Sequence, residues 1–292
     1  MKSISPQQVQ AHYRACFQSY ICWSGKKLGG YHFGFTEHWQ DIFDHSQMID
    51  NVNSRIFNHL NISKNIPVKI LDAGCGSGET ICSFKKKFPR SLHQIWGITI
   101  SNEQHRFGKM TLAQHNIPSN YILAGDFHAI PFEDRFFDAI IFNNSICHSN
   151  GASKSDAIQE ATRVLKPKGR LAFYDVLLDK PEAQFPCWWR LANHILLDAW
   201  KVPAWSELES IKTTLNKEGF RPVVSKDMRW MMSPSLFFMV FIHLPLFFWK
   251  AILHQASWHE VGVLLRLAIT IPVISIHPNF HHPLCVWEKS PK

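Results

Sequence analysis

The 292-residue chain carries 31 Lys and Arg against 23 Asp and Glu, a net charge of +8, and is long enough for one elaborated domain with a full hydrophobic core. Seven cysteines without a CxxC pair exclude a disulfide framework and a zinc knuckle, and point to a reducing, cytoplasmic compartment. The basic balance favours anionic partners without choosing among them; the opening MKSISPQQVQAHYRAC lacks an apolar core of signal-peptide length, and no repeat or low-complexity tract interrupts the chain.

Residues 1–60 read as an N-terminal helical cap. Within it the stretch Gly29 to Trp39 breaks the helical pattern with glycines and rings, a candidate substrate-facing aromatic wall whose side chains could equally pack into a core. Residues 61–180 read as an α/β core: strands are predicted near 68–73, 93–98, 119–124, 137–143 and 169–176, and helices over 78–88, 102–115 and 153–165. This alternation predicts a mostly parallel sheet covered on both faces. Lys166-Pro167-Lys168-Gly169 is predicted to end the last helix and launch the strand from Arg170.

Residues 181–292 read as an apolar lid plus the final strands of the sheet. A capping box, Ser206-Glu207-Leu208-Glu209, is predicted to open a helix that stops at Gly219; strands follow at Phe220 to Lys226 and His282 to Lys289. Between these strands lie two apolar runs, Leu236 to Trp249 and Val261 to Ile276, of 14 and 16 residues. Both are shorter than the roughly 20 residues a bilayer span needs, and Arg266 in the second would cost about 2.5–3.5 kcal/mol at the bilayer centre. They are expected to close over the site, with peripheral membrane contact and buried core helices as the competing roles.

In an open parallel sheet the ligand sits beyond the carboxyl ends of the strands. The first such end is Val68 to Glu79, VKILDAGCGSGE, which reads as strand, glycine turn and helix. Glycines there allow backbone angles that a Cβ forbids and let a ligand approach closely. The turn lacks the Gly-Lys-Ser/Thr ending of a triphosphate loop. Its form, D-x-G-C-G-x-G, resembles motif I of the class I S-adenosylmethionine (SAM)-dependent methyltransferases. The resemblance implies a Rossmann-like fold with a mostly parallel seven-stranded sheet, SAM as cofactor, and Asp72, Gly74 and Gly76 facing it. After the second strand, Gly97 to Gln104 resembles the GITIS-x-x-Q form of small-molecule and lipid C-methyltransferases, implying polar contacts from Thr99, Ser101 and Gln104. After the third, Asp126 could accept a hydrogen bond from an adenine amine while Phe127 packs on the ring. Asn143, at the end of the fourth, completes the cofactor set.

Tyr31-His32-Phe33-Gly34-Phe35, the run from Gly125 to Ala139, the stretch Ile141 to His148 and VLKPKGRLAFYD together resemble the sterol C-methyltransferases and their isoprenoid-methylating relatives. That resemblance implies transfer of a methyl to an alkene carbon. His32 and Asn144 stand where the group carries carboxylates, so a prenyl diphosphate competes with a sterol-like substrate. A quinone or tocopherol-like phenol, or a non-catalytic SAM-binding protein at a membrane surface, is the alternative. Attack on an alkene leaves a carbocation, which ring faces such as that of Tyr31 stabilise and which a base must then deprotonate. His148 is the first candidate base, followed by Glu37 and His32. No residue cluster has metal-ligand spacing, and magnesium would accompany only a diphosphate substrate. The partner is therefore expected to be a lipophilic small molecule, with no module for nucleic acid.

Overall fold

The computed structural model describes residues 4–17, 32–63, 66–89, 91–238, 241–242, 244–253, 257–275 and 277–291. Tyr31, Gly29 and Gly30 lie outside these residues, as do short pieces of both apolar runs. Runs of β-favouring residues form the main sheet: β1 (Lys69–Ala73), β2 (Gln94–Thr99), β3 (Ile122–Ala124), β4 (Phe137–Asn143), β5 (Leu165–Tyr174), β6 (Phe220–Asp227) and β7 (Pro283–Lys289). Their order is β3-β2-β1-β4-β5-β7-β6. The first five strands pair in parallel, and β7 is antiparallel to both its neighbours. The chain changes direction across the sheet between β1 and β4, so the crevice beyond their carboxyl ends is the switch point at which such sheets bind ligands.

Alternate residues of each strand feed two cores, as the two-residue period of a strand requires. Ile70 and Ile141 pack with Val52, Ile56 and Phe57 of α2 (His45–His59) and Phe84 of α3 (Glu79–Lys87). Leu71, Ile140 and Leu171 pack on the opposite face with α5 (Ser155–Val164) and α7 (Leu208–Lys217). The sheet is thus buried on both sides. The chain opens with α1 (Pro6–Ala15), whose N-terminus is held by a capping box between Ser5 and Gln8 with Pro6 in the first turn. A further helix, α4 (Asn102–Gln114), follows β2. A third apolar layer joins α6 (Cys187–Trp200) to α10 (Trp258–Ser275) through Trp189, Leu196, Val263 and Leu267. Next to this layer in the sequence run α8 (Arg229–Phe238) and α9 (Leu244–Ile252).

Three expectations are corrected. The predicted turn at Lys166 to Gly169 lies inside β5, whose register with β4 jumps from Phe137–Leu165 to Ala139–Arg170. The extra residues form a bulge in which Lys168 takes a left-handed φ of 62°. The predicted capping box does not form: Ser206 and Glu207 are a short strand paired with Leu177 and Leu178, and Glu207 is an N-cap without a side-chain cap bond. Pairing of the backbone has taken precedence over the local signal. The described parts of the apolar runs, finally, do not line the crevice. Among the described residues, none from 229–275 lines its cavity, and α10 packs against α6 instead. No helix among the described residues is long and apolar enough to cross a membrane.

Candidate active site

Beyond the carboxyl ends of β1, β2 and β4 lies a cavity of about 440 Å³, walled on its outer side by Ile4, Pro6, Val9 and Tyr13 from α1 and its entry. Its floor is the glycine turn. Gly74, Gly76 and Gly78 have φ of 90°, 54° and 81°. A Cβ added to Gly74 would lie 2.4 Å from Ser145 Cβ, so both the angle and the space demand glycine. The Gly74 and Cys75 N–H groups donate to the Ile98 carbonyl at 2.9 Å, which ties the turn to β2.

Asp72 is fully buried at the cavity, with neither carboxylate oxygen hydrogen-bonded to a described residue, and burial pushes its pKa up to about 7. Asn143 donates through Nδ2 to Asn53 Oδ1 at 3.1 Å, while its own buried Oδ1 has no partner among the described residues. Such orphaned buried acceptors fit a ligand bearing N–H donors. Thr99 donates to Gln104 Oε1 at 2.9 Å, and both line the cavity. Ser101 does not. It is buried as the N-cap of α4, accepting the Gln104 N–H at 3.3 Å and donating to Glu103. A helix start takes that hydroxyl, which corrects its assignment to the cofactor. Asp126 and Phe127 line the cavity as expected. Burial works to raise the Asp126 pKa, but hydrogen bonds from the ring and N–H of His128, at 2.7 and 2.9 Å, hold it below the usual value.

At the α1 end of the cavity, His148 Nε2 lies 2.8 Å from the Tyr13 hydroxyl and Nδ1 lies 3.3 Å from the Lys201 carbonyl. A carbonyl can only accept, so Nδ1 carries the proton and Nε2 accepts from Tyr13. Burial lowers the His148 pKa to about 4, which keeps the ring neutral near pH 7. The loop that carries it is pinned from beneath. Lys154, fully buried, donates to the carbonyls of Cys147, Ser149 and Ala204 at 3.1, 2.8 and 2.7 Å. Buried Asp175 accepts the Cys147 N–H at 3.0 Å. The Cys147 thiol is buried and pushed well above its usual pKa, which leaves it without thiolate character.

His32 lines the cavity, 3.4 Å from Glu79. Glu37 does not: it pairs with Arg55 at 2.6 Å on the outer side of α2, away from the cavity, so the structure gives it no catalytic place. Tyr31 lies outside the described residues. Several lining residues carried no sequence signal. Tyr13, Val9 and Ile4 sit in an ordinary polar helix start, and only the packing of that segment brings them to the cavity; Asn53, in mid-helix, stands behind the lining, bonded to Asn143 and Glu79. Glu79, which accepts from Asn53 at 2.7 Å and Ser83 at 3.1 Å, could have been found from its place directly after the glycine turn. Among the described residues, no group of three or more His, Cys, Asp or Glu could hold a metal.

Residues 71–173 match the family of the methyltransferase domain. An O-methyltransferase of Pyrenophora dematioidea is 29% identical over 212 residues, covering 70% of this chain and 73% of that protein. O-methyltransferase rstn1 of Aspergillus nomiae is 30% identical over 171 residues, 55% of this chain and 68% of its own. Squalene methyltransferase 1 of Botryococcus braunii is 30% identical over 159 residues, 49% of this chain and 38% of that protein. Among solved structures, the cyclopropane synthase MmaA2 of Mycobacterium tuberculosis has a TM-score of 0.79 at 15% identity, covering 99% of this chain and all of that one. A geranyl diphosphate methyltransferase has a TM-score of 0.73 at 14% identity, covering 97% and 99%. These two likenesses are of fold.

Proposed function

The chain belongs to the SAM-dependent methyltransferases, and from that premise we propose that it transfers the methyl of SAM to an alkene carbon of an uncharged isoprenoid lipid. The observation that carries this reading is the composition of one cavity. Asp72, Glu79, Asp126 and Asp156 line it together with the neutral Tyr13–His148 pair, and no Lys or Arg does so among the described residues. Carboxylates favour a positively charged sulfonium and a carbocation, and they repel a diphosphate. The expectation of magnesium lapses with the diphosphate.

Bound SAM supplies an electrophilic methyl on a cationic sulfur. The cradle left by Gly74 admits it close to the backbone, the orphaned acceptors of Asp72 and Asn143 suit its amine, and Asp126 with Phe127 suits an adenine. Thr99 and Gln104 remain for hydroxyl contacts. Ile4 and Val9 exclude water from the far wall. When the alkene has taken the methyl, a C–H bond next to the cationic carbon breaks and its electrons form the new double bond. The proton passes to the Tyr13 oxygen as the Tyr13 proton passes to His148 Nε2. His32 borders the same space and is a reserve acceptor.

A second reading, O-methylation of a lipophilic phenol, is favoured by the two fungal relatives named O-methyltransferases; the same pair would take the hydroxyl proton. Such substrates partition into lipid, so either reading brings peripheral membrane contact with it. Incubation with labelled SAM and a panel of sterols, isoprenoid hydrocarbons, prenyl diphosphates, quinones and phenols, followed by mass spectrometry and NMR of products, tests both. One added methyl on carbon of an uncharged isoprenoid is expected. Methylation confined to oxygen moves the assignment to the second reading, and methylation confined to prenyl diphosphates overturns the uncharged substrate.

A further inference from the structure

We infer that α9 and the segment entering it dock on the surface of an anionic lipid bilayer. This deepens the reading of a lipophilic substrate by naming the face through which the enzyme meets the phase that holds it. Leu246, Trp249, Ile252 and Leu253 follow one another at intervals of three, three and one, which places them on one side of the helix, and all four are exposed, Trp249 at 62%. Phe241 just before the helix, at 61%, and Trp258 just after it, at 68%, extend the apolar surface. The helix has a neighbour on its other side, where it packs on α10. A row of exposed rings and aliphatics of this size on a protein surface marks an interaction site.

The charge of the chain selects the occupant. From Met228 to Ile276 the sequence has Arg229, Lys250 and Arg266 and a single acid, Glu260. Glu260 is buried, its carboxylate accepting from the N–H and hydroxyl of Ser257 at 3.0 and 3.1 Å. Arg229 and Arg266 are paired with Asp227 and Asp198 at 2.9 and 3.2 Å, so the segment itself adds little net charge, and it is the +8 of the whole chain that favours an anionic headgroup. Tryptophans at the edge of an apolar face suit the headgroup region, where the ring is half in hydrocarbon and half in water. A helix too short to span and apolar on one side, in a chain of net positive charge, lies in the plane of the interface. The contact predicted is thus both electrostatic and apolar.

Co-sedimentation with vesicles tests this on the full chain. Vesicles of phosphatidylcholine mixed with phosphatidylglycerol should bind the wild type, phosphatidylcholine alone should bind it more weakly, and added salt should weaken binding without abolishing it. Leu246→Ser/Trp249→Ser should lower affinity for the mixed vesicles by about tenfold or more. Its SAM affinity, measured by calorimetry, should stay at the wild-type value, which also reports that it is folded. Wild type that stays in the supernatant overturns the inference, as does undiminished binding by the variant. A dimer in solution that the same substitutions dissociate would make a second copy the occupant and overturn it too. Methyl transfer scored separately on detergent-dispersed substrate keeps the two questions apart, because a protein that binds vesicles and methylates no isoprenoid sinks the substrate reading alone.

Discussion

Tyr13 and His148 come from positions 135 residues apart in sequence and meet at 2.8 Å. Each alone is unremarkable chemistry: a tyrosine on a polar helix, and a half-buried histidine whose pKa is drawn down to about 4. Together they offer a neutral acceptor that stays neutral across the physiological range, with Lys201's carbonyl fixing the tautomer from behind. Tyr13→Phe removes the atom that would receive the substrate proton, and His148→Gln removes the acceptor behind it. Each is expected to lower kcat by about 10²-fold or more, the usual worth of a positioned acid or base. Neither residue is needed to hold the cofactor, so SAM affinity should change little; single-turnover kinetics beside calorimetry checks both. Equal losses in the two measurements would assign the pair to binding and not to proton transfer.

At the scale of elements, the loop from β4 to α5 is the part whose shape is most strongly determined by buried charge. Lys154 sits at the N-cap of α5 in the left-handed region, φ 52°, and bridges the loop to Ala204 across 50 residues. Burial draws its pKa down to about 8, and burial likewise pushes nearby Asp175 up to about 6. Breaking such an arrangement by removing one charge leaves the other uncompensated, at a cost of about 3–5 kcal/mol. Lys154→Met should therefore lower the unfolding free energy, read from urea titration, by about that amount and loosen the His148 loop. Hydrogen exchange of residues 145–150 should speed up in the variant while that of β1 does not; uniform exchange would mean that Lys154 supports the fold generally. Legibility differs by element too. Most sheet strands, with α3, α4 and α5, follow their sequence patterns to within a residue or two, because each has a period that burial on both faces enforces, whereas β3 starts three residues later and β5 four residues earlier than its pattern predicts. The capping box at Ser206 and the turn at Lys166 were misleading, because pairing with a neighbouring strand overrode a local preference.

For the whole molecule, three imidazoles, two buried and one half-buried, set one limit on stability. His12, His148 and His282 have pKa values drawn down by burial to about 3, 4 and 3. The native state then binds fewer protons than the unfolded chain between those values and about 6.5, so their contribution to stability rises with pH over that window and is lost as pH falls below 6.5. Asp72 and Asp175, raised to about 7 and 6, act in the opposite sense. The difference between variants isolates the imidazoles: His282→Gln, which can still donate to Asn144, should show a smaller fall in urea midpoint from pH 7 to pH 4.5 than the wild type. An unchanged slope would refute the assignment. The sequence by itself determined the alternation of strands and helices and the glycine turn, since these depend on periodicity and on a turn that only glycine can make, and the resemblance of that turn to a known motif implied the cofactor. Asp126, Phe127 and His148 could be proposed from their places after predicted strands. Only the tertiary structure decided that Tyr13 joins them, that Asn53 braces Asn143 and Glu79 from behind, that Glu37 pairs with Arg55, that Ser101 caps a helix, and that α10 packs inward on α6 while α9 leaves a row of apolar side chains exposed. Those outcomes depend on which surfaces meet when distant segments pack, and no local pattern encodes a partner tens of residues away.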